Sequence, residues 1–268
     1  MVRAAEAPAA IRSRRVLRAR LAAARACDRG RRSRPRGSRP RRADGNRFAA
    51  FAASPEEPTG SGVVILPDVR GLYRFYEELA LRFAERGIAA VAIDYFGRTA
   101  GVGKRTDDFD YMTHVAQTTP EGIQADVSAA VDYLRSPEGG STQAVFTVGF
   151  CFGGRNSWLS GAGGHGLAGA VGFYGMPGLR DGALGPAQRA DEIEAPILAL
   201  QAGDDQNITA EHNAEFDEAL TRAGVEHEVV TYEGAPHSFF DRHQQDYADA
   251  SADAWRRVLA FIDRYRAG

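Results

Sequence analysis

The sequence predicts a single α/β domain, built on a mostly parallel central sheet with helices on both faces and preceded by a basic tail. Apolar runs of strand length recur without polar alternation, as strands covered on both faces require. Amphipathic runs of helix length separate them, the alternation that generates a parallel sheet. Charge divides the 268-residue chain in two. Residues 1–48 hold sixteen arginines, no lysine and three acids, whereas the remaining 220 residues hold 17 basic and 32 acidic residues. The formal net charge of −2 therefore conceals a basic tail joined to an acidic body.

Residues 1–46 are set apart as an Arg-rich extension and residues 47–268 as the folded domain. Within the extension, Ala9–Ala26 reads as a basic helix with Ile11, Val16, Leu17 and Leu21 as its few apolar residues. Asp28–Ala43 is nearly all Arg, Gly, Ser and Pro, and is expected to be disordered because it buries too little surface to offset the entropy of ordering. Such a tail suits a transit peptide or an arm for nucleic acid or anionic lipid. No aromatic residue is interleaved to stack on bases, so a leader without a chemical role is the preferred reading.

In the body, Arg47–Ala52 is expected as an edge strand and Gly62–Pro67 as a buried one. A helix over Arg74–Arg86 closes at Gly87, and strand Ile88–Asp94 follows. Pro120 suits the first turn of a helix over Glu121–Arg135. Further strands are expected at Gln143–Gly149, Leu167–Tyr174, Pro196–Ala202 and His227–Tyr232, with helices at Ala210–Ala223 and Tyr247–Tyr265. The segment Gly97–Thr119 is an insertion whose course over the domain is not specified by its composition.

No run approaches the ~18 apolar residues that cross a bilayer. Cys27 and Cys151 form neither a framework nor a C-x-x-C pair, which points to a reducing, cytoplasmic setting without structural zinc. The histidines include no H-x-x-x-H, and neither a metal nor a cofactor is expected. A G-x-G-x-x-G occurs at Gly161–Gly166, but it follows a helix and precedes a strand. Dinucleotide binding needs the opposite order, so this stretch is read as a loop.

The chemistry concentrates at Val148-Gly149-Phe150-Cys151-Phe152-Gly153-Gly154. A buried strand runs into a turn with glycine two residues before and two after a cysteine, and then into a helix. That is the G-x-nucleophile-x-G elbow, whose glycines leave room where a side chain would strike the tight turn. The helix N-terminus beside the sulfur favours thiolate. A nucleophile of this kind needs a base, and the base an orienting acid. Two downstream strands open into Gly203-Asp204-Asp205-Gln206 and Gly234-Ala235-Pro236-His237-Ser238-Phe239, beyond the strand ends where open α/β sheets bind ligands. Asp205 and His237 are the candidate acid and base, with Asp204 as a competing neighbour. His212, His227 and His243 read as surface residues.

With these residues in place, residues 47–265 resemble the dienelactone hydrolase family, the cysteine-nucleophile branch of the α/β-hydrolases. Leu66-Pro67-Asp68-Val69-Arg70-Gly71 and Asp94-Tyr95-Phe96-Gly97-Arg98 support the elbow and the histidine motif. The resemblance implies an α/β-hydrolase domain with Cys151 as nucleophile, His237 as base and Asp205 as acid. It implies an oxyanion hole formed by the backbone N–H groups of Phe152 and Val69. It places Asp68 as the carboxylate near the thiol, one methylene shorter than the usual glutamate. It makes Arg98 the grip on a substrate carboxylate. The family's second arginine stands four residues after the histidine, where this chain has Asp241, with Arg242 one further on. That departure weakens the case for a lactone acid as substrate. Tyr95, Tyr174 and Phe239 are candidate pocket residues.

The expected activity is hydrolysis of an ester or lactone, similar to carboxymethylenebutenolidase, by a monomer or small homo-oligomer acting on a small molecule. The alternatives are a general carboxylesterase or thioesterase, or a non-catalytic member that binds a ligand or senses oxidation through Cys151.

Overall fold

The computed structural model describes residues 15–18, 45–103, 105–106 and 108–267. Its strands are β1 (Arg15–Arg18), β2 (Ala49–Ala53), β3 (Ser61–Leu66), β4 (Ala89–Ile93), β5 (Ala144–Phe150), β6 (Gly169–Phe173), β7 (Ile197–Asp204) and β8 (His227–Pro236). Its helices are α1 (Arg74–Ala84), α2 (Gly97–Ala100), α3 (Tyr111–Val115), α4 (Pro120–Arg135), α5 (Phe152–Gly161), α6 (Ala210–Ala223) and α7 (Ala248–Tyr265). The strands form one sheet in the order β1-β2-β4-β3-β5-β6-β7-β8. Neighbours from β4 through β8 pair in parallel, while β2 runs antiparallel to β4 and to β1.

Each central strand buries both of its faces, which is why the sequence carries no polar alternation there. In β3, Val63 and Ile65 pack with Leu79 and Phe83 of α1 and Val258 and Phe261 of α7. The intervening Val64 and Leu66 face Ile123, Val127 and Val131 of α4 on the other side. The second face continues under β7, where Ile197 and Ala199 meet Trp158 of α5 and Phe216 and Leu220 of α6. Residues one apart in a strand point to opposite faces, so the two helical layers share one run of Val, Ile and Leu. Local signals set the helix starts. Thr119 caps α4 through Gly122 N–H with Pro120 in the first turn, and Thr209 and His212 form a reciprocal cap on α6.

Two expectations are corrected at the sheet's first edge. The strand expected at the edge is interior, because Arg15–Arg18 pairs with Ala49–Ala52 on its outer side. Those four residues fall within the segment read as a helix. The physical reason is that β2 presents a row of unpaired backbone groups, which a strand satisfies and a helix cannot. The rest of the Ala9–Ala26 segment, the Asp28–Ala43 segment and Cys27 lie outside the described residues. His227 is a lesser correction: its ring is largely buried and hydrogen-bonds the Val225 carbonyl at 2.7 Å.

The insertion after β4 contains α2 and α3 and is pinned near its start. Arg105 donates to both oxygens of Asp94, at 3.2 and 2.7 Å, and to the Gly101 carbonyl at 2.7 Å. Its guanidinium lies over the Phe109 ring, 4.7 Å from the centroid. Asp94 also accepts the Leu72 and Phe96 amides, so one buried carboxylate ties the insertion to the loop after β3.

Candidate active site

The elbow is built by backbone contact. β5 is buried along its whole length, and the chain turns at Cys151 with φ 55° and ψ −113°. That left-handed conformation is strained for a residue with a Cβ. A Cβ on Gly149 would collide with the Gly153 carbonyl, and one on Gly153 with the carbonyls of Leu66 and Pro67. The second approach presses the start of α5 onto the end of β3, where the loop bearing Asp68 and Val69 begins. Cys151 N–H donates to the Phe173 carbonyl at 3.0 Å, so β6 holds the turn from the other side. Arg155, one turn into α5, donates to the carbonyls of Met176, Gly178, Ala183 and Leu184, which anchors the loop after β6 to the helix that follows Cys151.

The register of β7 and β8 brings the other two candidates together. Asp204 pairs with Pro236, so the next residues, Asp205 and His237, leave the sheet side by side. His237 Nδ1 lies 2.5 Å from Asp205 Oδ2. The amides of Asn207 and Ile208 donate to Asp205 Oδ1 at 2.9 and 3.2 Å and fix the carboxylate's orientation. Asp204, the competing acid, is exposed and faces Gln206. With Nδ1 committed to Asp205, Nε2 is the imidazole nitrogen left for a further partner, and Cys151 is among the groups that act on the ring's charge. Burial pushes the His237 pKa down, but the hydrogen bonds and charges of Asp205 and Cys151 outweigh it and raise it to about 10. Burial pushes Asp205 up, while its bonds from His237 and the two amides hold it below the usual carboxylate range.

A second polar cluster adjoins this chain. Tyr174, wholly buried and with φ 36°, donates its hydroxyl to Asp241 Oδ1 at 3.0 Å, and its ring lies 5.0 Å from that of His237. Asp241 Oδ2 meets the Tyr76 hydroxyl at 3.4 Å and Arg70 Nη2 at 3.3 Å. Burial raises the Asp241 pKa, and the charge of Asp68 adds to the rise. The Asp68 carboxylate accepts the Arg70 amide at 2.9 Å, Arg70 Nε at 2.9 and 3.1 Å and Arg242 Nη2 at 3.3 Å. Arg98 forms a two-pronged pair with Asp126 of α4, at 2.6 and 3.0 Å. Tyr95 is buried, donates to the Pro67 carbonyl at 2.7 Å and meets the Phe152 ring edge-on at 5.3 Å. Phe239 is wholly buried beside Tyr174 and Tyr232, so it packs behind the histidine turn.

The sequence reading missed Arg70, Asp126, Arg105 and Arg155. For Asp126 a signal was present. It stands on the apolar face of α4 among Ile123, Val127 and Ala130, where a carboxylate requires a partner. Among the described residues, no group of three or more His, Cys, Asp and Glu side chains is arranged to hold a metal ion. No described helix is long and apolar enough to cross a membrane.

A parallel sheet carrying an elbow at the end of a central strand defines an α/β-hydrolase fold. The chain belongs to the dienelactone hydrolase family, whose model matches residues 48–266. It is 27% identical over 228 residues to a Yersinia pestis protein provisionally named carboxymethylenebutenolidase, covering 82% of this chain and 85% of that one. A protein of the same provisional name from Escherichia coli K12 is 29% identical over 230 residues, covering 82% and 84%. Among solved structures, a provisionally named dienelactone hydrolase from Klebsiella pneumoniae superposes with a TM-score of 0.74 at 25% identity, covering 83% of this chain and 95% of that one. The family is one of hydrolases, which implies a small-molecule substrate.

Proposed function

We propose that this protein hydrolyses an ester or lactone by acyl transfer through Cys151. The observation that carries the proposal is the 2.5 Å pair of Asp205 and His237 together with a cysteine at a strained elbow, close enough to act on the charge of the imidazole. Cys151 Sγ attacks the carbonyl carbon, and the carbonyl π electrons move onto oxygen. That oxyanion is received by the N–H groups of Phe152 and Val69, donors aimed where charge develops. Collapse of the tetrahedral adduct breaks the carbon–oxygen bond, and the leaving alkoxide or enolate takes the proton held by His237. His237 then accepts a proton from water as the water attacks the thioester. The acid is released and the thiolate restored. Asp205 stabilises the imidazolium throughout and fixes its tautomer.

A good leaving group suits this route, because a sulfur nucleophile is readily expelled back from the adduct. Dienelactone-type lactones and aryl esters meet that requirement. The test is steady-state hydrolysis of a dienelactone and a neutral aryl ester by wild type and Cys151→Ala. Turnover of either by wild type, lost in the variant, is the expected result. Equal rates in the two proteins, or no turnover of either compound, overturn the proposal.

A further inference from the structure

Among the described residues, five that are not glycine adopt a positive φ: Ser141, Cys151, Tyr174, Asp181 and Ser238. Three of them stand just beyond the ends of β5, β6 and β8, at Cys151, at Tyr174 and at the residue after His237. Backbone strain of this kind persists only where the surroundings over-determine it, and it gathers at functional sites. Cys151 is the elbow, and Ser238 turns the chain after the imidazole. Tyr174, with φ 36°, has no step of its own in acyl transfer.

The backbone around Tyr174 is clamped by its neighbours. Its N–H donates to the Leu200 carbonyl at 2.9 Å, and the Phe173 carbonyl before it accepts the Cys151 N–H at 3.0 Å. The Gly175 carbonyl after it accepts Gln201 Nε2 at 3.1 Å. A Cβ on Gly175 would collide with the backbone of Gly154 and Arg155, so this strand end is pressed onto the start of α5. The clamp turns the Tyr174 ring to the imidazole of His237, 5.0 Å away between centroids and tilted by 54°. Asp205 holds the imidazole through one nitrogen, and a single bond leaves a ring free to swing about it. A second ring packed against it blocks that swing.

The far end of Tyr174 is fixed as well. Its hydroxyl donates to Asp241 Oδ1 at 3.0 Å, and Asp241 Oδ2 is itself tied to the Tyr76 hydroxyl and Arg70 Nη2. Tyr174 and the Asp241 side chain are both buried, so a hydroxyl that left this acceptor would go unpaired at a cost. We infer that Tyr174 is a positioning residue for His237 and Asp241 its anchor: the ring, mounted between a strained backbone and a buried carboxyl, confines the imidazole to the orientation bonded to Asp205. The inference rests on the acyl-transfer reading above and gives His237 a second support besides Asp205.

The test sets Tyr174→Phe and Asp241→Ala, which remove the anchoring bond from either end, against Asp241→Asn, which keeps an acceptor oxygen for the hydroxyl. With 4-nitrophenyl acetate, the first two are expected to lose about tenfold in kcat with KM within about twofold of wild type. Asp241→Asn is expected to stay within about threefold of wild type in kcat. The double variant Tyr174→Phe/Asp241→Ala should be no slower than the slower single one, because the two groups act as a unit. Rates are read well below each melting temperature, where a purely structural role leaves kcat unmoved. Wild-type kcat in Tyr174→Phe, or Asp241→Asn as slow as Asp241→Ala, overturns the inference. If Asp241→Ala does not fold, Tyr174→Phe, which removes one oxygen atom, carries the comparison. Proton NMR reports position without turnover. The far-downfield proton shared by Asp205 and His237 is expected to broaden by exchange with water in Tyr174→Phe and to stay sharp in Asp241→Asn. If wild type hydrolyses no ester yet the proton broadens in this way, acyl transfer fails and the positioning role stands. A proton as sharp in Tyr174→Phe as in wild type overturns that role.

Discussion

His237 and Asp205 share one short bond that leaves the other imidazole nitrogen uncommitted, whereas Arg70, Arg98 and Arg242 are drawn onto aspartates almost closed to water. Both sets are charge-assisted hydrogen bonds at the same end of the sheet. In the first, Asp205 is buried and His237 is a third exposed, so the carboxylate orients a ring that still has a bond to make. In the second, each carboxylate absorbs the donors that reach it. An ion pair at the strand ends is informative mainly through the valence it leaves over.

Replacing Cys151 with Ala is the most severe way to break the reactive set. Hydrolysis is expected to fall at least ~10³-fold, read from initial rates at saturating ester, with melting temperature little changed. Substitution of Gly153 by Ala attacks the scaffold instead. The added Cβ meets two carbonyls of β3's end, and backbone cannot yield as a side chain can. A loss of about 3 kcal/mol or more is expected in denaturant unfolding; an unchanged midpoint would show that the elbow has room.

Asp205→Asn separates orientation from nucleophilicity. Without the carboxylate the imidazole loses its fixed tautomer, and kcat is expected to drop ~10²–10⁴-fold. The same variant has a pH signature. The His237 pKa is raised, so its pairing stabilises the fold below its unfolded value and is lost as pH rises through about 10. The Asp205 pKa is lowered, so its contribution is present above the ordinary carboxylate range and is lost as pH falls through its folded value. The stability gap between wild type and Asp205→Asn should be widest between the ordinary carboxylate range and about pH 6.5, narrow as pH rises from there through about 10, and close at both extremes. A gap independent of pH from 4 to about 11 would mean that the pair does not carry charge.

The smallest effect is expected in the self-satisfied set. Asp126→Asn keeps the shape of the side chain but removes the charge that Arg98 meets twice. A loss of about 2 kcal/mol is expected in urea unfolding, with no change in the pH dependence of aryl ester hydrolysis. A displaced pH profile would place Asp126 in electrical contact with His237 and weaken the contrast between the two sets.

Much of the fold was legible because its signals are short. The run from Gly62 to Pro67 needs only its own residues to declare a strand buried on both faces, and Thr119-Pro120 declares a helix start. The elbow was equally readable, since G-x-C-x-G is a steric demand within five residues. Asp205 was less so: Asp204 has the same chemistry one position away, and only the pairing of Asp204 with Pro236 sets which carboxylate meets His237. The tail shows the opposite failure. Arg15–Arg18 has no strand pattern of its own, and its pairing answers the open edge of β2.

Local sequence set the succession of the main strands and helices after residue 47, the covering of the sheet on both faces and the position of the strained cysteine. All of these follow from backbone sterics and apolar periodicity over a few neighbouring residues. Only the tertiary structure decided which charge meets which. Arg242 and Asp68 stand 174 residues apart, and Arg70 and Asp241 stand 171 apart. No local pattern links such pairs. They meet because β3, β4, β5, β6, β7 and β8 release their loops at one end of the sheet, where burial makes each carboxylate take the nearest guanidinium.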